Sequence, residues 1–140
     1  MNRICYAALL ICMGFNTSRA QYEVGHQSLS FYDEPRDRDV TIEVYYPADS
    51  PGDDVAFTTG SFPLVVFGHG FVMPWDDYQN IWNFLVPSGY CMAFLTTESG
   101  IVPDHENYGL DFVFIANSLM AENDNDASIF YQHLTDKQGF

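Results

Sequence analysis

Apolar and polar positions alternate from residue 26 to 32, with Leu29 and Phe31 on one face and Ser28, Ser30 and Tyr32 on the other. A period of two marks a half-buried strand. The charged stretch Asp33-Glu34-Pro35-Arg36-Asp37-Arg38 interrupts it, and the alternation then resumes with Val40, Ile42, Val44 and Tyr46 opposite Thr41, Glu43 and Tyr45. Two such strands about a short turn predict an antiparallel hairpin. Residues 47–60 are rich in Pro, Gly, Asp and Ser, and read as a surface loop.

The pattern then changes. Leu64-Val65-Val66-Phe67 is an unbroken apolar run ended by Gly68-His69-Gly70, as expected of a central strand covered on both faces. Tyr78, Ile81, Trp82 and Leu85 lie three or four positions apart and predict an amphipathic helix, with Asp76 and Asp77 at its N-terminal end and Gly89 at the other. Residues 90–96 form a second continuous apolar strand. The short connections of this strand, helix, strand unit predict parallel strands joined by a right-handed crossover, so the fold class is α/β. A loop carrying Gly100 and Pro103 leads to a second helix expected over about residues 107–120, with Phe112, Ile115, Ala116 and Leu119 on its buried stripe. The last residues hold a short apolar patch and the turn-like Asp136-Lys137-Gln138-Gly139, with no strand predicted there. The central apolar runs are therefore expected to lack a flanking strand, leaving edges unpaired and the isolated chain poorly soluble or partly unfolded.

The first 20 residues follow a different rule. Arg3 gives a positive start, residues 6–15 are an apolar run, and Ser18-Arg19-Ala20 supplies small residues for cleavage after Ala20. This is the pattern of a secretory signal peptide, which predicts a secreted or periplasmic protein, with residues 21–140 left as the N-terminal part of one domain. A membrane anchor needs roughly 18 or more apolar residues in succession, and Asn16, Thr17, Ser18 and Arg19 break the run, so no stable span is expected after the leader is removed. Ile11 before Cys12 does not suit lipid attachment. Loss of Cys5 and Cys12 with the leader leaves Cys91 without an internal disulfide partner, and its apolar setting predicts a buried thiol. The formal charge is −14, or −16 without Arg3 and Arg19, which argues against nucleic acid as a partner and favours solubility.

Three segments together resemble secreted α/β hydrolases, the family of cutinase-like polyester hydrolases, platelet-activating-factor acetylhydrolases, chlorophyllases and dienelactone hydrolase relatives. Residues 40–48, Val-Thr-Ile-Glu-Val-Tyr-Tyr-Pro-Ala, are similar to the family's early strand. Residues 62–71, Phe-Pro-Leu-Val-Val-Phe-Gly-His-Gly-Phe, look like the strand and His-Gly loop that supply the oxyanion hole. Residues 84–90, Phe-Leu-Val-Pro-Ser-Gly-Tyr, resemble the helix end that leads into the next strand. The resemblance implies a partial α/β-hydrolase fold, an antiparallel hairpin leading into parallel strands with crossover helices. It implies hydrolysis of a small-molecule or polymeric carboxylic ester through an acyl-enzyme, without a cofactor.

The same resemblance assigns roles to one loop. Phe71, with Val72 beside it, would donate backbone N–H groups to the developing oxyanion; Gly68, His69 and Gly70 would shape the loop; and Phe71 and Trp75 would contact substrate. The nucleophile belongs to a Gly-x-Ser-x-Gly turn, with acid and histidine later in the chain. That motif is absent: Ser88 and Ser99 each precede a glycine, but neither has glycines two residues away on both sides. In the family the motif begins shortly after a stretch resembling residues 134–140. The triad is thus expected beyond Phe140, and this chain alone is expected to be inactive.

Other chemistries find little support in the residues. His69 stands in the wrong place for the family's catalytic base, while His26, His105 and His133 have no partner pattern. His105-Glu106 lacks the second histidine of a zinc-protease helix, and Asp124 and Asp126 do not meet the EF-hand pattern, because Ile129 stands where its glycine belongs. No metal site is expected. The competing readings are a noncatalytic secreted module binding lipid or carbohydrate, and a non-esterase enzyme on the same fold.

Overall fold

The computed structural model describes residues 21–139, with side chains described as far as Thr135; the expected leader, residues 1–20, lies outside the described residues. Strands β1 (Glu23–Asp33) and β2 (Arg38–Ala48) form the antiparallel hairpin, in register from Glu23 opposite Ala48 to Asp33 opposite Arg38. The turn is one 3₁₀ turn, Glu34–Arg36. Pro35 presets φ for it, and Asp37 reverses the chain with φ of 51°. The loop that follows contributes a two-residue strand, β3 (Gly52–Asp53), parallel to β1 at Gly25 and His26. It also sends Phe57 inward to stack on Tyr46, with ring centroids 4.2 Å apart.

Strands β4 (Phe62–Phe67), β5 (Cys91–Leu95) and β6 (Leu134–Gly139) complete a sheet of order β3-β1-β2-β5-β4-β6. β5 is antiparallel to β2, whereas β4 is parallel to both β5 and β6. Here the structure corrects the sequence reading, because residues 136–139 are strand rather than turn and β4 is paired on both sides. Ladder hydrogen bonds come from the backbone and need no apolar alternation, so the polar composition of this stretch hid it. The register shifts between Pro63 and Val65, next to a proline that has no N–H to offer the ladder.

A 3₁₀ turn, Trp75–Tyr78, precedes helix α1 (Gln79–Leu85), so the predicted helix is shorter and begins more tightly wound than its spacing suggested. Helix α2 (His105–Asn123) is longer than expected at both ends. Asp104 caps it by accepting from the N–H groups of Asn107 and Glu106. Bonds from the backbone and side chain of Asn107 are the main reason its carboxyl is held below the usual range.

The two helices cover opposite faces of the sheet. Successive β5 side chains alternate between them: Met92 and Phe94 pack with Tyr45, Trp82 and Val86 on the α1 side, while Cys91, Ala93 and Leu95 join Ile115, Ala116 and Leu119 on the α2 side. All five β5 residues are buried. β4 is fully buried only on the α2 side; Val65 and Phe67, facing α1, are half-buried, so the predicted two-sided cover is partial. Among the described residues no helix is long and apolar enough to cross a membrane.

Burial has a chemical consequence at Cys91. Desolvation pushes its thiol well above the ordinary range, and the thiolate is the reactive form. Residues 21–140 as a native protein at pH 7–8 should therefore resist a thiol reagent such as Ellman's reagent at this position, and denaturation should release the one thiol of that segment. Stoichiometric labelling of Cys91 before unfolding would contradict that.

Candidate functional site

The loop after β4 takes its shape from close approaches that only glycine permits. A Cβ on Gly68 would lie 2.3 Å from the Phe112 ring and 2.7 Å from the Tyr108 hydroxyl, so α2 packs directly on the backbone at the end of β4. The Gly70 N–H donates to Tyr78 Oη at 2.8 Å, and the Met73 N–H returns to the Gly70 carbonyl at 3.2 Å, closing a turn over residues 70–73. Val72, third in that turn, has φ of 55°. Glycine usually occupies such a position, and a β-branched residue there is strained.

Gly70 and Met73 thus have acceptors for their amides. Phe71 and Val72, between them, donate to no acceptor among the described residues. Their side chains are exposed, Phe71 at 68%. The loop stands at the carboxyl end of a parallel strand, the end of an α/β sheet where ligands collect.

His69 is buried beneath the turn. Its Nε2–H donates to the Thr97 carbonyl at 2.7 Å, and Nδ1 lies 3.0 Å from the Gly70 carbonyl. It therefore joins the end of β4 to the end of β5, the position of a brace. From α2, Tyr108 donates to the His69 carbonyl at 3.3 Å. Burial, the main cause, pushes the Tyr108 phenol up to about 12, which keeps it a donor at neutral pH.

A small cavity of about 70 Å³ lies beside the turn, where Phe71, Glu98, Pro103, His105 and Tyr108 meet His69 and Gly70. Trp75 does not line it. It lies in the α1-side cluster, tilted against Trp82 at 5.6 Å and Tyr45 at 6.0 Å, and half-buried. A larger cavity of about 310 Å³ lies elsewhere, between β1 and the turn that includes Ala127 and Phe130. Glu122 is its one titratable lining residue, and it carries no comparable constellation.

Two of the other three histidines have structural partners, while His105 opens α2 and is exposed beside the small cavity. His26 stands between Glu43 and Asp53, 2.8 Å from each, and stacks on Tyr45; His133 bonds to the Gly60 carbonyl and stacks on Phe57. Asp124 and Asp126 are exposed, and among the described residues no group of His, Cys, Asp or Glu is arranged to hold a metal ion.

The sequence reading missed a buried charge network next to the loop. Asp111, on α2, has no exposed surface, yet accepts from Arg36 Nη1 at 2.7 Å, Arg38 Nη2 at 3.1 Å and Thr97 Oγ1 at 2.7 Å. Arg36 also binds Asp33, and Arg38 binds Glu98. Burial lowers the basicity of Arg36, but its bonds to Asp33 and Asp111 outweigh this and hold the group above its ordinary value. Two signals could have found the network. Asp111 lies four residues before Ile115, on the apolar stripe, and two of the three basic residues after residue 20 fall in one turn.

No family model matches the chain, and no curated protein matches it. Among solved structures, a ferulic acid esterase from Streptomyces cinnamoneus superposes with a TM-score of 0.51 at 17% sequence identity, covering 56% of this chain. The match covers 34% of the esterase, about a third of its length. The chain therefore has an α/β fold with a mixed sheet, shared in part with an esterase. At this identity the likeness is one of fold.

Proposed function

We propose that the chain is the N-terminal portion of a secreted serine hydrolase, residues 1–20 being its leader, and that it supplies the oxyanion loop for hydrolysis of a carboxylic ester through an acyl-enzyme. One observation carries this reading: two adjacent amides, Phe71 and Val72, without acceptors among the described residues, on a tight turn at the carboxyl end of β4. Attack on an ester places negative charge on the carbonyl oxygen, and a donor aimed at that charge lowers the barrier by about 2.7–4 kcal/mol in measured cases. The exposed Phe71 ring offers an apolar surface for the acyl or alcohol group. The partial likeness to a ferulic acid esterase supports the fold that this reading needs.

In this reading the serine, histidine and acid of the triad are supplied by sequence after Phe140. Sequencing the transcript past that codon should find Gly-x-Ser-x-Gly, and the longer product should react with a fluorophosphonate probe. Residues 21–140 alone should neither react nor turn over p-nitrophenyl esters. Absence of both motif and labelling would replace the reading with a binding module, and turnover by residues 21–140 would overturn the division of labour.

A further inference from the structure

We propose that Thr97 and Asp111 are positioning residues for the loop of residues 68–73, acting through His69. The inference rests on the reading of Phe71 and Val72 as oxyanion donors and extends it to residues that touch no substrate. The chain of contacts is continuous. Asp111 Oδ2 accepts from Thr97 Oγ1 at 2.7 Å; the Thr97 carbonyl accepts from His69 Nε2–H at 2.7 Å; and His69 lies directly before Gly70, where the turn begins. Thr97 therefore holds two groups at once, its hydroxyl fixed to α2 and its carbonyl fixed to the loop.

Three features make this chain directional rather than incidental. Asp111 is itself immobilised, because Arg36 from the β1–β2 turn and Arg38 from the start of β2 grip its two oxygens. Thr97 lies between the end of β5 and Glu98, which has φ of 59°. The side chain of Glu98 is held by Arg38 and by the amide of the α2 cap, Asp104. The backbone at Thr97 therefore depends on side-chain bonds, since the strand ladder ends before it. Finally, Tyr108 on the same helix holds the His69 carbonyl, so α2 grips both the ring and the backbone of the residue before the turn. Strain at Val72 requires such support, because an uncommon φ persists only where its surroundings dictate it.

The test uses Thr97→Val, which keeps the carbonyl that His69 needs but removes the hydroxyl that fixes it. In the full chain labelled with ¹⁵N-histidine, with the His69 signals assigned from a His69→Gln variant, the wild type should show the Nε2–H tautomer with a slowly exchanging ring proton. Thr97→Val should speed exchange of that proton, and in uniformly ¹⁵N-labelled chain of the hydrogen-bonded Gly70 and Met73 amides, by about tenfold, the effect of one lost hydrogen bond of ordinary strength. Thr97→Ser should restore both, and Asp111→Ala, which removes the acceptor of the Thr97 hydroxyl, should reproduce the loss in the ring signal. If Thr97→Val does not fold, Thr97→Ala carries the same comparison against Thr97→Ser. A folded variant without the hydroxyl whose His69 ring and loop amides match the wild type overturns the proposal. These signals report loop geometry whatever the chemistry, so failure here leaves the esterase reading to the fluorophosphonate result.

Discussion

Replacing Asp111 by alanine should cost about 3 kcal/mol of folding stability, measured by urea or thermal denaturation. Removing one member of a buried ion pair typically costs 3–5 kcal/mol because its partner is left charged without compensation. The lower end applies here, since Arg36 keeps Asp33 and Arg38 keeps Glu98. Asp111→Asn retains an acceptor for Thr97 and should lose less. The damage should reach beyond α2, because Arg36 lies in the β1–β2 turn and Arg38 opens β2, while Thr97 follows β5. Hydrogen exchange should therefore rise at the hairpin turn and at the end of β5 together. An alanine variant as stable as the wild type would mean that the network contributes nothing to folding.

Phe94→Ala should be comparably damaging on the other face of the sheet, at about 3–5 kcal/mol for a buried phenylalanine. Phe94 is fully buried and meets Trp82 edge-on at 5.3 Å, Tyr45 at 5.9 Å and Phe67 at 5.1 Å. Its loss would open a void shared by β2, β4 and α1, whose aromatic rings cannot all move to close it. Phe84 is the internal control. It lies on α1 with 72% of its surface exposed, and Phe84→Ala should change stability by no more than about 0.5 kcal/mol. Equal losses at the two positions would contradict the assignment of the α1-side core.

The contrast shows which parts of the fold the sequence could express. The period-two pattern of residues 40–46 and the unbroken run of residues 91–95 each report a strand's surroundings, and both strands lie where those patterns predict. Tyr45 marks the limit of alternation, for it was assigned opposite Val44 and Tyr46 yet is also buried, because Trp82 stacks on it at 4.3 Å. Period tells which face a residue occupies, not whether another element covers that face. β6 was illegible for a related reason, since its pairing is a property of the backbone and of its neighbour β4.

At the candidate site, Gly68 and Gly70 could be recognised as a tight turn from their spacing. The amide partners of that turn could not, because Tyr78 reaches Gly70 from a different element. Asp111 illustrates the same limit with charge, since its two arginine partners are more than 70 residues away in the chain. Only their scarcity in an acidic sequence hinted at a dedicated use.

The strand order also imposes a timetable on synthesis. β1 and β2 can pair as soon as both have left the ribosome, but β4 is completed at Phe67 while its partners begin only at Cys91 and Leu134. At about 5–20 residues per second, β4 waits roughly 1–5 s for its first neighbour and about 3–13 s for its second. Until β5 emerges this apolar strand carries two bare edges, and until β6 emerges one, the surface most prone to join another nascent chain. Each chain thus emerges with a period of vulnerability that a chaperone could cover, and slower translation across residues 68–134 would lengthen it.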